Sequence, residues 1–168
     1  IVVGGAFKQI KPLQHDFINS YGLESQIFFG DHFSVNGQIL FGKNYVHVPL
    51  GSFLVFSLAY LGEGCLSAVF DEGCSPWIAL FLSEGCSYNF KIFDQLTIAP
   101  YINVLGYDYI YAPDEYKQDS YLSSAAGGRI NMFFGEKIVF SSFAGYRYLY
   151  GEPKGGVEMG VSVGYNFY

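Results

Sequence analysis

At 168 residues the chain has the length of one domain able to bury a sizeable core. Its formal net charge of −6, with no cluster of Lys or Arg, argues against a nucleic-acid partner, because phosphates require a basic face. Only 14% of the residues are charged while 51% are hydrophobic and 20% aromatic; a water-soluble domain carries about 25% charged residues, so part of this surface is expected to meet something other than water.

In chain order, the dominant signal is apolar and polar alternation of period two, the pattern of a half-buried strand. The opening IVVGGAF lacks a basic-then-apolar leader, so any export signal is expected to have been removed or to lie outside this numbering. Weak alternation predicts strands over about 1–9, 21–30 and 33–42. The stretch YVHVPLGSFLVFSLAYLG (45–62) has no Asp, Glu, Lys or Arg and must be weighed as a membrane helix. A spanning helix needs about 20 predominantly apolar residues, whereas this run contains His47, Pro49, Gly51, Ser52 and Ser57, and its apolar centre is only Phe53 to Leu61. A strand over 46–61 is expected instead, then a less regular pair within 62–92 that includes a short strand at 65–71.

The second half is clearer. In 95–111, Leu96, Ile98, Ile102 and Val104 oppose Thr97, Ala99, Tyr101 and Asn103. In 120–134, Leu122, Ala126, Ile130, Met132 and Phe134 oppose Ser123, Ala125, Gly127, Arg129 and Asn131. In 137–151, Ile138, Phe140, Ala144, Tyr146, Tyr148 and Tyr150 oppose Ser141, Gly145 and Arg147. The last segment sets Val157, Met159, Val161, Val163, Tyr165 and Phe167 against Glu158, Gly160, Ser162, Gly164, Asn166 and Tyr168. Short turn signals at 30–31, 62–64, 93–94 and 135–137 alternate with more polar connections at 11–20, 71–76, 112–120 and 151–156, as in a meander crossing a layer.

A soluble sandwich also alternates, so the direction of the apolar face decides. The opposite face is Ser, Ala, Gly and Asn with isolated Arg, too small and neutral to clothe a water-facing surface. That set suits a narrow lumen, with the aromatic row facing lipid. Backbone groups in hydrocarbon must all be satisfied internally, so such a sheet has to close.

The terminal GVSVGYNF resembles the closing strand of bacterial outer-membrane β-barrels, an alternating apolar row ending on Phe that the assembly machinery reads. Here Tyr168 follows Phe167, a departure of one residue. FSVNGQILF with YVHVPL (33–50), APYINVLGY (99–107) and AGYRYLYG (144–151) resemble strand phrases of small porin-like barrels. The resemblance implies an all-β, transmembrane, up-and-down antiparallel barrel of the OmpA/OmpX-like kind. Eight strands are expected, with ten the alternative if 1–9, 46–61 and 65–71 all cross. It further implies a single domain over 1–168 in a Gram-negative outer membrane, with a periplasmic C-terminus and an assembly signal in Val163, Tyr165 and Phe167.

Candidate chemistry is sparse. Glu-Gly-Cys occurs at 63–65, 72–74 and 84–86 and contains all three cysteines. In a hairpin turning near 71–76, Glu63 and Cys65 would approach Glu84 and Cys86. A Cys65–Cys86 disulfide is one reading and small hairpin residues the other. Zinc sites have tighter Cys/His spacing, so no metal or cofactor is expected. Arg129, Arg147 and Glu158 fall on the polar faces of three consecutive strands and project into one lumen, with Glu63 a further candidate. They read as an ionic plug in preference to a gate or selectivity lining, because an eight-stranded interior is filled by side chains. His15-Asp16 with Ser20, and His32-Phe33-Ser34, raise a lipid A hydrolase or acyltransferase, which needs a base within reach of its nucleophile. The acidic, tyrosine-containing 112–121 reads as a solvated loop or a partner contact. The expectation is a non-enzymatic anchor or accessory subunit, with a narrow channel and a lipid A enzyme as alternatives. Its partners would be lipid and lipopolysaccharide, the assembly machinery and other outer-membrane proteins.

Overall fold

The computed structural model describes residues 1–12, 17–50, 83–112, 117–150 and 154–167, which form one antiparallel sheet closed on itself. In chain order its strands are β1 (Val2–Pro12), β2 (Ile18–Phe29), β3 (Phe33–Gly42), β4 (Tyr45–Pro49), β5 (Gly85–Tyr88), β6 (Phe90–Phe93), β7 (Leu96–Ala112), β8 (Lys117–Phe134), β9 (Ile138–Leu149) and β10 (Lys154–Asn166). β1 pairs with both β2 and β10, so the first and last strands are neighbours and the ends of the chain meet. No described helix is long and apolar enough to cross a membrane.

The ten described strands fill eight wall positions. β4 lies between Leu40–Gly42 of β3 and Gly106–Ile110 of β7. β5 lies farther along the same slot, between Phe33–Asn36 and Tyr101–Asn103. β6 continues it against Leu96–Ile98. Of the expected 46–61 strand, Val46–Pro49 lies in β4, which ends at Pro49, whose nitrogen has no hydrogen to extend a ladder, and 51–61 lie outside the described residues. Within the expected pair at 62–92, the described β5 and β6 follow one another in one wall position. The short strand expected at 65–71 lies outside the described residues. Just ahead of β5 the Glu84 amide bonds Asn36 O and the Val104 amide bonds Glu84 O.

Turns at 30–32, 94–95 and 135–137 share one end with the termini. Gly30 (φ 67°) and Gly135 (φ 64°) occupy the left-handed region at two of them, where a Cβ would be strained. The other end, called the loop end below, carries the connections after β1, β3, β7 and β9.

The outward row is apolar and exposed along β10 from Val157 to Phe167, and along β7, β8 and β9 at Ile98, Ile102, Leu122, Ile130, Ile138, Tyr146 and Tyr148. The inward row is polar and buried. One irregularity shapes it: Asn103 pairs with Ala125 but Gly106 with Ser123, so β7 carries one extra residue, a bulge. The bulge reverses the phase of β7 and turns Asp108 into the lumen, where strict alternation from Asn103 would have sent it outward.

Candidate functional site

The lumen is packed with charge. Lys8, Glu24, His47, Glu84, Asp108, Arg129, Arg147 and Glu158 are all buried there. At the centre the Arg147 guanidinium meets three carboxylates. Its Nε donates to Glu158 Oε2 (2.8 Å), Nη1 to Asp108 Oδ2 (3.1 Å) and Nη2 to Glu84 Oε1 (2.9 Å). Nη1 also donates to Ser123 Oγ (2.8 Å). Arg147 on β9 thus binds β7, β8, β10 and the start of β5, which a rigid planar fork of five donors is suited to do.

Around it, His47 sets Nδ1 3.0 Å from Asp108 Oδ1 and Nε2 3.1 Å from Glu84 Oε2. Tyr45 donates its hydroxyl to Asp108. Lys8 Nζ lies 2.7 Å from Glu158 Oε2, and the Tyr101 hydroxyl donates to Glu158 Oε1 at 2.8 Å. Tyr101 fits because Gly127 and Gly145, paired across β8 and β9, leave the space beneath its hydroxyl clear; a Cβ on either would collide with it.

Towards the turn end, Arg129 pairs with Glu24 on the opposite wall, and Gln38 Nε2 donates to Glu24 Oε2 (2.9 Å). The Arg129 guanidinium also sits 5.2 Å above the Phe143 ring centre. Below this pair lies a layer of neutral hydrogen bonds: Ser34 with Ser87 (2.7 Å), Asn36 Nδ2 to Ser87 Oγ (3.1 Å) and Ser141 Oγ to Asn131 Oδ1 (2.8 Å). Phe28 and Phe133 then meet across the barrel, ring centres 6.3 Å apart, above an open vestibule. At the vestibule rim Lys91 bonds Asp94 at 2.8 Å, which holds that carboxyl below its usual range. At the loop end the lattice is capped by Ala6, Ile10, Leu40 and Tyr45. The cavity beside Ile10, Tyr45, Asp108 and Arg147 has about 10 Å³ of space, no more than one water.

The structure brings Arg147 and Glu158 into direct contact and sets Arg129 apart, on Glu24 of the opposite wall. Cys86 is a free, partly exposed thiol on β5. Glu63 and Cys65 lie outside the described residues, as do His15, Asp16 and Tyr168. Val163, Tyr165 and Phe167 form an exposed outward row, with Tyr165 and Phe167 edge to face at 5.0 Å. Of the His/Ser pairs, Ser34 bonds Ser87, Asn36 and Asn89, while His32 bonds the Asn89 carbonyl and stacks on Tyr88. Ser20 donates its hydroxyl to the Lys8 carbonyl inside the lumen.

Sequence reasoning missed Lys8, Glu24, His47 and Asp108. A signal existed for His47, which sits between the outward-phase Val46 and Val48. None existed for Asp108, whose direction depends on the bulge.

No protein-family model and no curated protein matches the chain. Solved structures do. Ail, the attachment invasion locus protein of Yersinia pestis, superposes with a TM-score of 0.53 at 13% identity, covering 99% of this chain and 95% of Ail. The fold is that of the small outer-membrane barrels. The N-terminal β-barrel domain of Pseudomonas aeruginosa OprF gives 0.55 at 15% identity, covering 99% and 97%. Neisserial surface protein A gives 0.54 at 8% identity, covering 99% and 95%. All three share the eight-position barrel fold of this chain, and at such identities the likeness extends to the fold alone.

Proposed function

We propose that the chain is an integral outer-membrane barrel of a diderm bacterium with a sealed lumen. It acts as an anchor or accessory subunit that engages partners through its loops or aromatic flank. The observation that carries this reading is the lattice around Arg147. A solute would have to pass a guanidinium tied to three carboxylates, then the Arg129–Glu24 pair, then the Phe28–Phe133 contact. The exposed aromatic and aliphatic rows support a lipid-facing wall, and the shared fold of the three bacterial barrels supports the outer membrane as its place. The termini share an end with the short turns, which supports a periplasmic C-terminus where the assembly machinery would read Val163, Tyr165 and Phe167. Lipopolysaccharide and other outer-membrane proteins are the remaining partners of this reading.

A non-enzymatic role fits the His/Ser geometry, since Ser34 and Ser20 are committed to other groups and His47 is enclosed by carboxylates. Planar-bilayer recording of the purified protein tests the seal. Conductance should not differ from that of the bare bilayer, and long-lived selective steps would put the narrow channel in its place. Lipid A mass spectra should be the same with and without the protein. Co-purification from native membranes in mild detergent would identify the partner.

A further inference from the structure

Counting the buried charge on the described lumen residues exposes an imbalance. There are three Lys or Arg side chains, Lys8, Arg129 and Arg147, and four carboxylates, Glu24, Glu84, Asp108 and Glu158. Arg129 and Glu24 form their own pair, leaving Lys8 and Arg147 to face Glu84, Asp108 and Glu158. His47 is the remaining ionisable group in that cluster able to become a cation.

Its geometry says how the imbalance is met. Nδ1 faces Asp108 Oδ1 at 3.0 Å and Nε2 faces Glu84 Oε2 at 3.1 Å. A neutral imidazole has one N–H and one bare lone pair, so one of these contacts would set a lone pair against a carboxylate oxygen. Both carboxylates also accept from Arg147, at 2.9 and 3.1 Å, and Asp108 accepts from Tyr45 as well, so they are the ionised partners. A second proton on the ring satisfies both contacts and neutralises the cluster.

The placement of this pair gives the proton a structural task. His47 belongs to β4 and Glu84 stands immediately ahead of β5, the two strands that share one wall position. We propose that the lumen holds a bound proton on His47, and that the resulting imidazolium clasps the two strands of that wall position, so that removing the proton loosens the barrel at this seam. The groups facing His47 from the surrounding strands are Asp108 from β7, Glu84 ahead of β5 and Arg147 from β9, whose Nη1 lies 3.4 Å from Nδ1, while Tyr45 on its own β4 bonds the same Asp108 oxygen. Glu158 of β10 and Lys8 of β1 lie one contact further, and β8 contributes the neutral Ser123. The sign follows: a cation needed in the folded state adds stability at low and neutral pH. That contribution is lost as the pH rises far enough to strip the folded ring of its proton.

The proposal builds on the sealed-lumen reading, which bilayer conductance tests separately. Nitrogen NMR of histidine-labelled protein in micelles, with His15→Gln and His32→Gln to leave one imidazole, reads the state directly. At pH 7 both ring nitrogens should carry protons. A neutral tautomer signal at that pH would overturn the proposal. Glu84→Gln supplies the charge balance without the proton, so in that variant His47 should be neutral at pH 7.5. In parallel, the half-life of the otherwise unmodified barrel in urea should fall about tenfold between pH 6.5 and 9, the effect of roughly one unit of linkage. The Glu84→Gln barrel should show a flat profile. A flat profile in the unmodified barrel would equally overturn the clasp, and the NMR result stands whether or not the variant folds.

Discussion

Arg147 binds three carboxylates and a serine hydroxyl from four wall positions, so its removal leaves three buried carboxylates with only Lys8 and His47 among them. Breaking a buried pair by deleting one partner costs about 3–5 kcal/mol, and wetting of the lumen through the vestibule could halve that. Arg147→Ala should therefore lower the urea midpoint sharply, or prevent refolding in detergent, without producing a selective pore. Ile10, Tyr45 and Leu149 still close the loop end over the space vacated. Tryptophan and tyrosine fluorescence against urea, together with bilayer recording of the surviving fraction, checks both halves. Full denaturant resistance with strong conductance would mean that the arginine guards a passage. At this scale Arg147 and Glu158 were readable because each sits in the polar phase of a long alternating strand. Lys8 and Glu24 were not, because β1 and β2 mix polar residues into both phases: Gln9 and Lys11 occupy the outward row of β1.

At the scale of the element, strands β7 to β10 were legible over nearly their whole length. One face is continuously apolar, and a slip by one residue would expose the charged row to lipid. The bulge at Asn103–Gly106 left no period-two signature, since an inserted residue resembles a break in alternation. It carries a test. Deleting Leu105 alone removes the extra residue and keeps Asp108 in the inward phase of Asn103, so that barrel should still assemble, whereas deleting Val104 and Leu105 together turns Asp108 towards lipid and should abolish outer-membrane assembly. Fractionation at matched expression distinguishes the two, and normal insertion of the double deletion would show that the phase of β7 is not what places Asp108. The last strand offers an independent test. Phe167 completes the exposed row of Val163 and Tyr165 and bonds back to the Ile1 carbonyl through its amide (2.8 Å). Phe167→Ala should reduce assembled protein several-fold and Tyr168→Ala much less; equal, normal insertion of both would count against the terminal row as the assembly signal.

For the whole molecule, everything proposed depends on how the wall closes between β3 and β7. From sequence, 46–61 and a pair within 62–92 read as separate crossings, because alternation marks a stretch as strand without saying which wall position it fills. Only long-range pairing reveals that β4 and β5 share one position, and period-two patterning carries no information about partners. The register offers a direct probe, since Cys86 of β5 pairs with Val35 of β3 on one side and Ile102 of β7 on the other. Directly paired residues of antiparallel strands lie about 4.5–5.5 Å apart, within the span of a disulfide. The measurement is oxidative crosslinking of Val35→Cys, and separately Ile102→Cys, in membranes from a background in which Cys65 and Cys74 are Ser, read by mass spectrometry of the linked peptides. A barrel of eight positions closed through β5 predicts a Cys86 bridge in both variants. Absence of both bridges from assembled protein would mean that 62–92 crosses elsewhere, and the closed wall with its Arg147 lattice would fall with it.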